Sequence, residues 1–142
     1  MELGVKFRSD TAGHVTGVRF YKGAGNTGTH VGRLWSATGQ LLASVAFTGE
    51  TASGWQQATF AAPVAIAANT TYVVSYHAPN GRYAGDTGYF AASGADAAPL
   101  HALRDGVDGF NGVYRYGTGG VFPTDTWRST NYWVDLTFTP AG

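Results

Sequence analysis

The residues best equipped for chemistry lie between Ala78 and Thr130. There Tyr83, Tyr89, Phe90, Phe110, Tyr114, Tyr116, Phe122 and Trp127 are interleaved with Arg82, Asp86, His101, Arg104, Arg115 and Arg128. A sugar ring offers an apolar face for stacking and a polar rim for paired hydrogen bonds, so aromatic plates beside Asp, Arg and His are what a glycan site needs. The candidate ligand-binding set is Trp127, Tyr114, Tyr116, Tyr83, Tyr89, Asp86, His101 and Arg115. Trp127, and the pair Tyr114 and Tyr116 on alternate positions of a short strand, are expected to show their rings to solvent. The competing reading is internal: a long segment without regular structure needs a small core of its own, and rings from this set would supply it.

A second candidate is a cation loop. The run Asp105-Gly106-Val107-Asp108-Gly109-Phe110-Asn111 places an oxygen ligand every third residue, at Asp105, Asp108 and Asn111. Calcium takes about six to eight oxygens, and glycine lets a loop turn its carbonyls inward. The spacing is not that of an EF-hand, and Asp with Gly is also what any turn requires. Calcium is thus the one cofactor the residues raise. The histidines, His14, His30, His77 and His101, lack the spacing of a helical zinc site, although strands can bring distant positions together.

Catalytic chemistry is harder to place. No G-x-S-x-G elbow is present, and no nucleophile stands beside an evident base. A glycosidase needs two facing carboxylates. The only glutamates are Glu2 and Glu50, which leaves Asp86, Asp96, Asp105, Asp108 and Asp125 as the pool. The chain is therefore expected not to be an enzyme. Gly23-Ala24-Gly25-Asn26-Thr27-Gly28 spells G-x-G-x-x-G, but that pattern holds a dinucleotide only between a strand and a helix, and a strand follows here. Lys6 and Asp135 both point outward on strands expected to be neighbours. That is the pairing isopeptide-bonded adhesins use; the plainer reading is an exposed ion pair.

Composition narrows the partners. Nine basic residues balance nine acidic ones and only Lys6 and Lys22 are lysines, so no stripe tracks a phosphate backbone or an anionic membrane. No apolar run approaches the ~18 residues of a membrane span. Cysteine is absent, which removes disulfides, thiolate catalysis and Cys-type zinc sites. Charged residues make up 13% of the chain, roughly half the usual share, so the surface must rest on small polar residues.

The elements that must position these residues are strands. Period-two runs separated by turn residues predict an all-β antiparallel sandwich, immunoglobulin-like or jelly-roll-like, as one domain over residues 1–142. Leu3, Val5 and Phe7 share one face; Thr16, Val18 and Phe20 share another. His30–Ser36 and Leu41–Phe47 flank Ala37-Thr38-Gly39-Gln40 as a hairpin. Trp55–Phe60 and Val64–Ala67 read as two strands parted by Pro63. Tyr72–His77 opens on a Tyr placed as in a tyrosine corner, or as an ordinary core Tyr. Asn131–Phe138 is expected to close the sandwich near the first strand, with Tyr132, Val134, Leu136 and Phe138 facing in. Residues 78–130 form an ordered excursion in which Pro99–Asp105 has room for one helical turn.

The runs ELGVKF (2–7), VTGVRFYKG (15–23), NTGTHVGRLW (26–35), SGWQ (53–56), TTYVVSYH (70–77) and NYWVDL (131–136) together resemble the domain-of-unknown-function family numbered 4082. The resemblance spans essentially the whole chain. It implies a β-sandwich module of a large secreted or surface protein of bacteria, set beside immunoglobulin-like and polysaccharide-active domains of the parent chain. It carries no catalytic residues over. The expected function is non-catalytic polysaccharide binding, secreted or at the cell surface, through the aromatic residues of the 78–130 excursion. The alternative is a structural or adhesive spacer with no small-molecule ligand.

Overall fold

The structure, a computed structural model, describes residues 1–97, 99–117 and 121–140. It is all-β, with no helix among the described residues. Eleven strands form two antiparallel sheets that face each other as a sandwich: β1 (Glu2–Ser9), β2 (Gly13–Lys22), β3 (Val31–Ser36), β4 (Leu41–Ala46), β5 (Gly54–Ile66), β6 (Tyr72–His77), β7 (Ala95–Ala97), β8 (Leu100–Ala102), β9 (Val113–Arg115), β10 (Asp125–Thr126) and β11 (Val134–Pro140). The larger sheet runs β10-β9-β1-β6-β3-β4, with the β7-β8 hairpin also paired to β1. The smaller is β11-β2-β5.

Alternation explains what fills the space between them. In β1, Leu3, Val5 and Phe7 point into the core beside Val74, Tyr76 and Leu34 of the same sheet. The smaller sheet answers with Val15, Val18, Phe20, Phe60, Ile66, Val134 and Leu136. Phe20 is central: its ring stacks on Tyr76 at 4.2 Å and meets the edge of Phe47 at 4.9 Å. Offset and edge-on aromatic pairs of this kind add to simple area burial.

Two local expectations are met. The β3–β4 hairpin closes with Ser36 N–H donating to Gln40 O at 2.9 Å, and Gly39 takes the left-handed φ of 92° that the turn needs. Tyr72 makes a tyrosine corner, its hydroxyl accepting the Ala67 N–H at 3.0 Å.

Four expectations are corrected. β5 is one continuous strand through Pro63, because the β2–β5 register shifts between Val15 and Gly17 and Pro63 falls opposite that break. A proline there costs no ladder bond. The same irregularity reverses the side-chain phase of β2, so Val15, not Thr16, is buried, and Thr16 meets Thr137 across the outer face at 2.7 Å. At Gly17 a Cβ would lie 2.2 Å from Ala58 O, which fixes glycine at the shift. β11 pairs with β2 and not with β1, since β1 is already paired on both edges by β6, β8 and β9. The span expected to allow a helical turn is instead the short strand β8 and the chain leading from it.

Lys6 and Asp135 therefore sit on different sheets. Asp135 pairs with Arg19 at 2.9 Å, whereas the Lys6 amine donates to Asp108 O at 2.6 Å, so no crosslink joins them. The G-x-G-x-x-G run is a loop leading into β3, turned by Asn26 N–H donating to Gly23 O.

Polar groups are buried at the ends of the core. His30, fully enclosed, lies between Glu50 at 2.7 Å and Asn26 at 2.6 Å, and burial holds its pKa below the ordinary histidine value despite the carboxylate. Lys22 also reaches Glu50, at 3.2 Å. On the outer face of the larger sheet, Glu2 accepts from Ser75 Oγ at 2.6 Å and from Arg33 at 3.0 Å. Burial raises its pKa; these partners work against that shift.

Candidate functional site

The excursion is tied to the sandwich through the free edge of β1. β9 pairs with Glu2–Gly4 and β8 with Phe7–Ser9, so the ladder has a gap at Lys6. Asn111 fills it. Its Oδ1 accepts the N–H groups of Lys6 at 2.8 Å and Gly112 at 2.7 Å, and its Nδ2 donates to the carbonyls of Lys6 at 3.0 Å and Leu103 at 2.7 Å. A side-chain amide offers two N–H donors and an oxygen with two lone pairs, so it can meet two backbone donors and two backbone acceptors at once. With these four bonds made, the amide is fully engaged.

The rest of the proposed calcium set is engaged in the same fold-building role. Asp105 accepts the Asn111 N–H at 2.8 Å and the Ser129 hydroxyl. Asp108 faces Arg8 at 3.8 Å, and the Lys6 ammonium takes its carbonyl. A lysine cation thus sits within the loop, and the oxygens of the three residues are turned toward protein donors. Among the described residues no group of three His, Asp or Glu side chains is arranged to hold a metal.

The predicted glycan residues divide into three groups. Tyr83 and Tyr114 are half-buried and pack edge-on around Tyr132, at 5.2 and 6.4 Å. Burial pushes the Tyr132 hydroxyl up to about 12, as expected for a ring that serves the core. Tyr116, Arg115 and Trp127 are exposed, but they lie outside both clefts described below, and Trp127 is covered on one face by the Arg128 guanidinium at 4.9 Å. Tyr89 and His101 line one recess and Asp86 a second, and the two share Trp55 and Trp133, residues the sequence reading left as scaffold.

That meeting place is the outer face of the smaller sheet. Side chains there alternate with the core, so Arg19 and Tyr21 of β2 point outward, as do Trp55 and Gln57 of β5. Tyr21 pairs in register with Trp55, and its N–H donates to Trp133 O at 2.8 Å on the other side. Neighbouring strands lie about 4.8 Å apart, so Trp55, Tyr21 and Trp133 form one strip across three adjacent chains. Tyr89 extends it, meeting Trp133 edge-on at 5.5 Å. Tyr21 is 42% exposed and Trp55 48%.

Two recesses share Trp55 and Trp133. One, about 410 Å³, is walled by Tyr21, Trp55, Trp133, Ala84, Gly85 and Asp86. The other, about 380 Å³, follows the free edge of β11 toward the β7–β8 hairpin and reaches Tyr89, Asp96, His101, Arg19 and Asp135. Both volumes fall in the range of small-ligand sites, roughly 300–1,000 Å³. Arg19 lies over Trp55 at 4.9 Å while bound to Asp135, and the Trp133 indole N–H donates to Asp86 Oδ2 at 2.8 Å. Trp133 itself takes a left-handed φ of 56°, so the chain turns sharply just before β11 and swings the indole onto the strip. For a bulky non-glycine residue this conformation costs about 1–3 kcal/mol.

His101 closes the far end. Nδ1 faces Asp96 at 2.6 Å and Nε2 faces Asp10 at 2.7 Å, so two acceptors flank one ring. The hydrogen bonds to Asp96 and then Asp10 raise its pKa above the ordinary histidine value. Because the folded pKa is the higher one, the clamp contributes fully below the ordinary value and is lost as pH rises through the raised one. The contribution is small, since all three side chains are substantially exposed. A proton NMR titration should place the His101 midpoint above that of an unstructured histidine, and Asp96→Asn should lower it. A midpoint at or below the ordinary value would contradict the clamp.

Fold and site define a class: an open antiparallel β-sandwich whose larger sheet is extended by inserted short strands and whose smaller sheet carries an exposed aromatic strip. The profile of the family described as Domain of unknown function (DUF4082) matches residues 1–134, and the chain belongs to that family. No curated protein and no solved structure matches it.

Proposed function

We propose that this chain is a non-catalytic, carbohydrate-binding accessory module that works outside the cell as part of a larger protein. The observation that carries the reading is the strip Trp55-Tyr21-Trp133, contributed by three adjacent segments on the outer face of the smaller sheet, with Trp55 and Tyr21 exposed and Trp133 half-buried beside them. Apolar rings exposed side by side cost hydration unless something covers them, and polar groups at their rim (Arg19, Asp86, Asp135) suit the hydroxyls of a sugar. Tyr21 and Trp55 meet at 83°, so the strip is a ledge and not a flat plate. A ledge favours a single soluble glycan chain over a crystalline surface. The spacer reading draws support from Tyr83, Tyr114 and Tyr132, whose rings serve the packing.

Polysaccharide pull-down and affinity electrophoresis on the wild type, Trp55→Ala, Tyr21→Ala and Trp127→Ala test this. Each stacked ring removed should weaken retention roughly tenfold. Trp127→Ala, outside the clefts, should bind as the wild type does. No retention on any glycan, or loss only with Trp127→Ala, would overturn the reading in favour of a spacer.

A further inference from the structure

The recess on the smaller sheet has the make-up of a cation cage. Tyr21, Trp55 and Trp133 supply three aromatic walls, and Tyr21 and Trp55 stand at 83° to each other, as two sides of a box do. The face of an aromatic ring is its electronegative side and attracts a cation, more strongly when water is excluded. One carboxylate, Asp86, belongs to the same recess.

The charges around it favour an incoming cation. Arg19 lies over Trp55, but its charge is balanced by Asp135 at 2.9 Å. Among the described residues no cation pairs with Asp86, and the only side-chain donor to its carboxylate is the Trp133 indole N–H. That hydrogen bond fixes the orientation of the indole against the carboxylate. Arg19 on Trp55 also shows that this indole accepts a delocalised cation on one of its faces.

We propose that the recess formed by Tyr21, Trp55, Trp133 and Asp86 recognises an ammonium group, best a methylated one, carried by the glycan. This rests on the glycan reading and adds the substituent that sets specificity. A methylated ammonium spreads one charge over an apolar surface, so it loses little hydration on entering an aromatic box and gains from both the rings and the carboxylate. A uronic acid would bring a second negative charge beside Asp86 and is selected against.

The test uses the whole chain with choline and, as the comparison, the neutral alcohol in which carbon replaces the choline nitrogen. Binding is followed by the indole N–H resonances of Trp55 and Trp133. Choline should shift both saturably, and the neutral isostere should bind at least about fivefold more weakly. Asp86→Asn keeps an acceptor for the Trp133 indole and removes the charge, so it should close most of that gap. Trp55→Phe, a milder change should Asp86→Asn disturb the loop, should weaken choline severalfold. Equal binding of choline and its isostere, or no shift with either, would overturn the cage whether or not a polysaccharide is retained. Choline binding without retention of any polysaccharide would instead support the cage and sink the glycan setting.

Discussion

Asn111→Ala should lower the unfolding free energy by about 3–5 kcal/mol, although the side chain touches no ligand. The residue is 1% exposed, and its amide satisfies backbone groups of Lys6, Leu103 and Gly112. Alanine leaves those groups without their partner in a site closed to water, at about 1–3 kcal/mol for each left unsatisfied. The Leu103 N–H still reaches Lys6 O at 3.1 Å, which keeps the total below the full sum. Asn111→Asp is a sharper control. It keeps the acceptor for Lys6 and Gly112 but sets a carboxylate oxygen against two carbonyls, so it should be about as damaging as alanine. Urea denaturation measures the loss, and hydrogen exchange should show the Lys6 amide opening first. A loss under about 1 kcal/mol for Asn111→Ala would mean that the excursion is not held by this residue. Because β8 carries His101 and the β7–β8 hairpin walls one recess, the variant should also weaken glycan retention well below its melting temperature.

Phe20→Ala should cost about 3–5 kcal/mol, the usual price of removing a large buried ring. Phe20 is fully buried and central to the packed rings, stacked on Tyr76 at 4.2 Å, edge-on to Phe47 and 4.8 Å from His30. Phe20→Leu should recover most of the loss because it restores apolar volume without the stacking. Since Phe20 and Tyr21 point to opposite faces of β2, Phe20→Leu should leave ligand affinity near that of the wild type while lowering the melting temperature by several degrees. A calorimetric scan of each variant decides the matter. Equal stability of Phe20→Ala and the wild type would show that the core is not organised around this ring.

Asn111 and Phe20 hold different parts of the molecule together. Asn111 holds the excursion to the larger sheet. Phe20 holds the two sheets together. The aromatic strip depends on both but lies on the outer face of the smaller sheet, where β2, β5 and the segment before β11 meet.

What the residues alone decided is the strand pattern. Period-two alternation is local, so Leu3, Val5 and Phe7, or Tyr132, Val134 and Leu136, declare their shared face without reference to any neighbour, and the turn at Gly39 and the corner at Tyr72 follow from adjacent residues. Pairing is not local. That β11 joins β2 and leaves β1 to β8 and β9 follows from which edge was free, and strands of three residues such as β7, β8 and β9 are too short to show a period. The same holds for the rings of the excursion, where Tyr83 and Tyr114 pack inward while Tyr116 and Trp127 face solvent outside either recess. Tyr21, Trp55 and Trp133 lie far apart in the chain, so no local pattern shows that they meet. Only the pairing of three segments puts them side by side on the outer face, and only the left-handed turn at Trp133 brings its indole to Asp86.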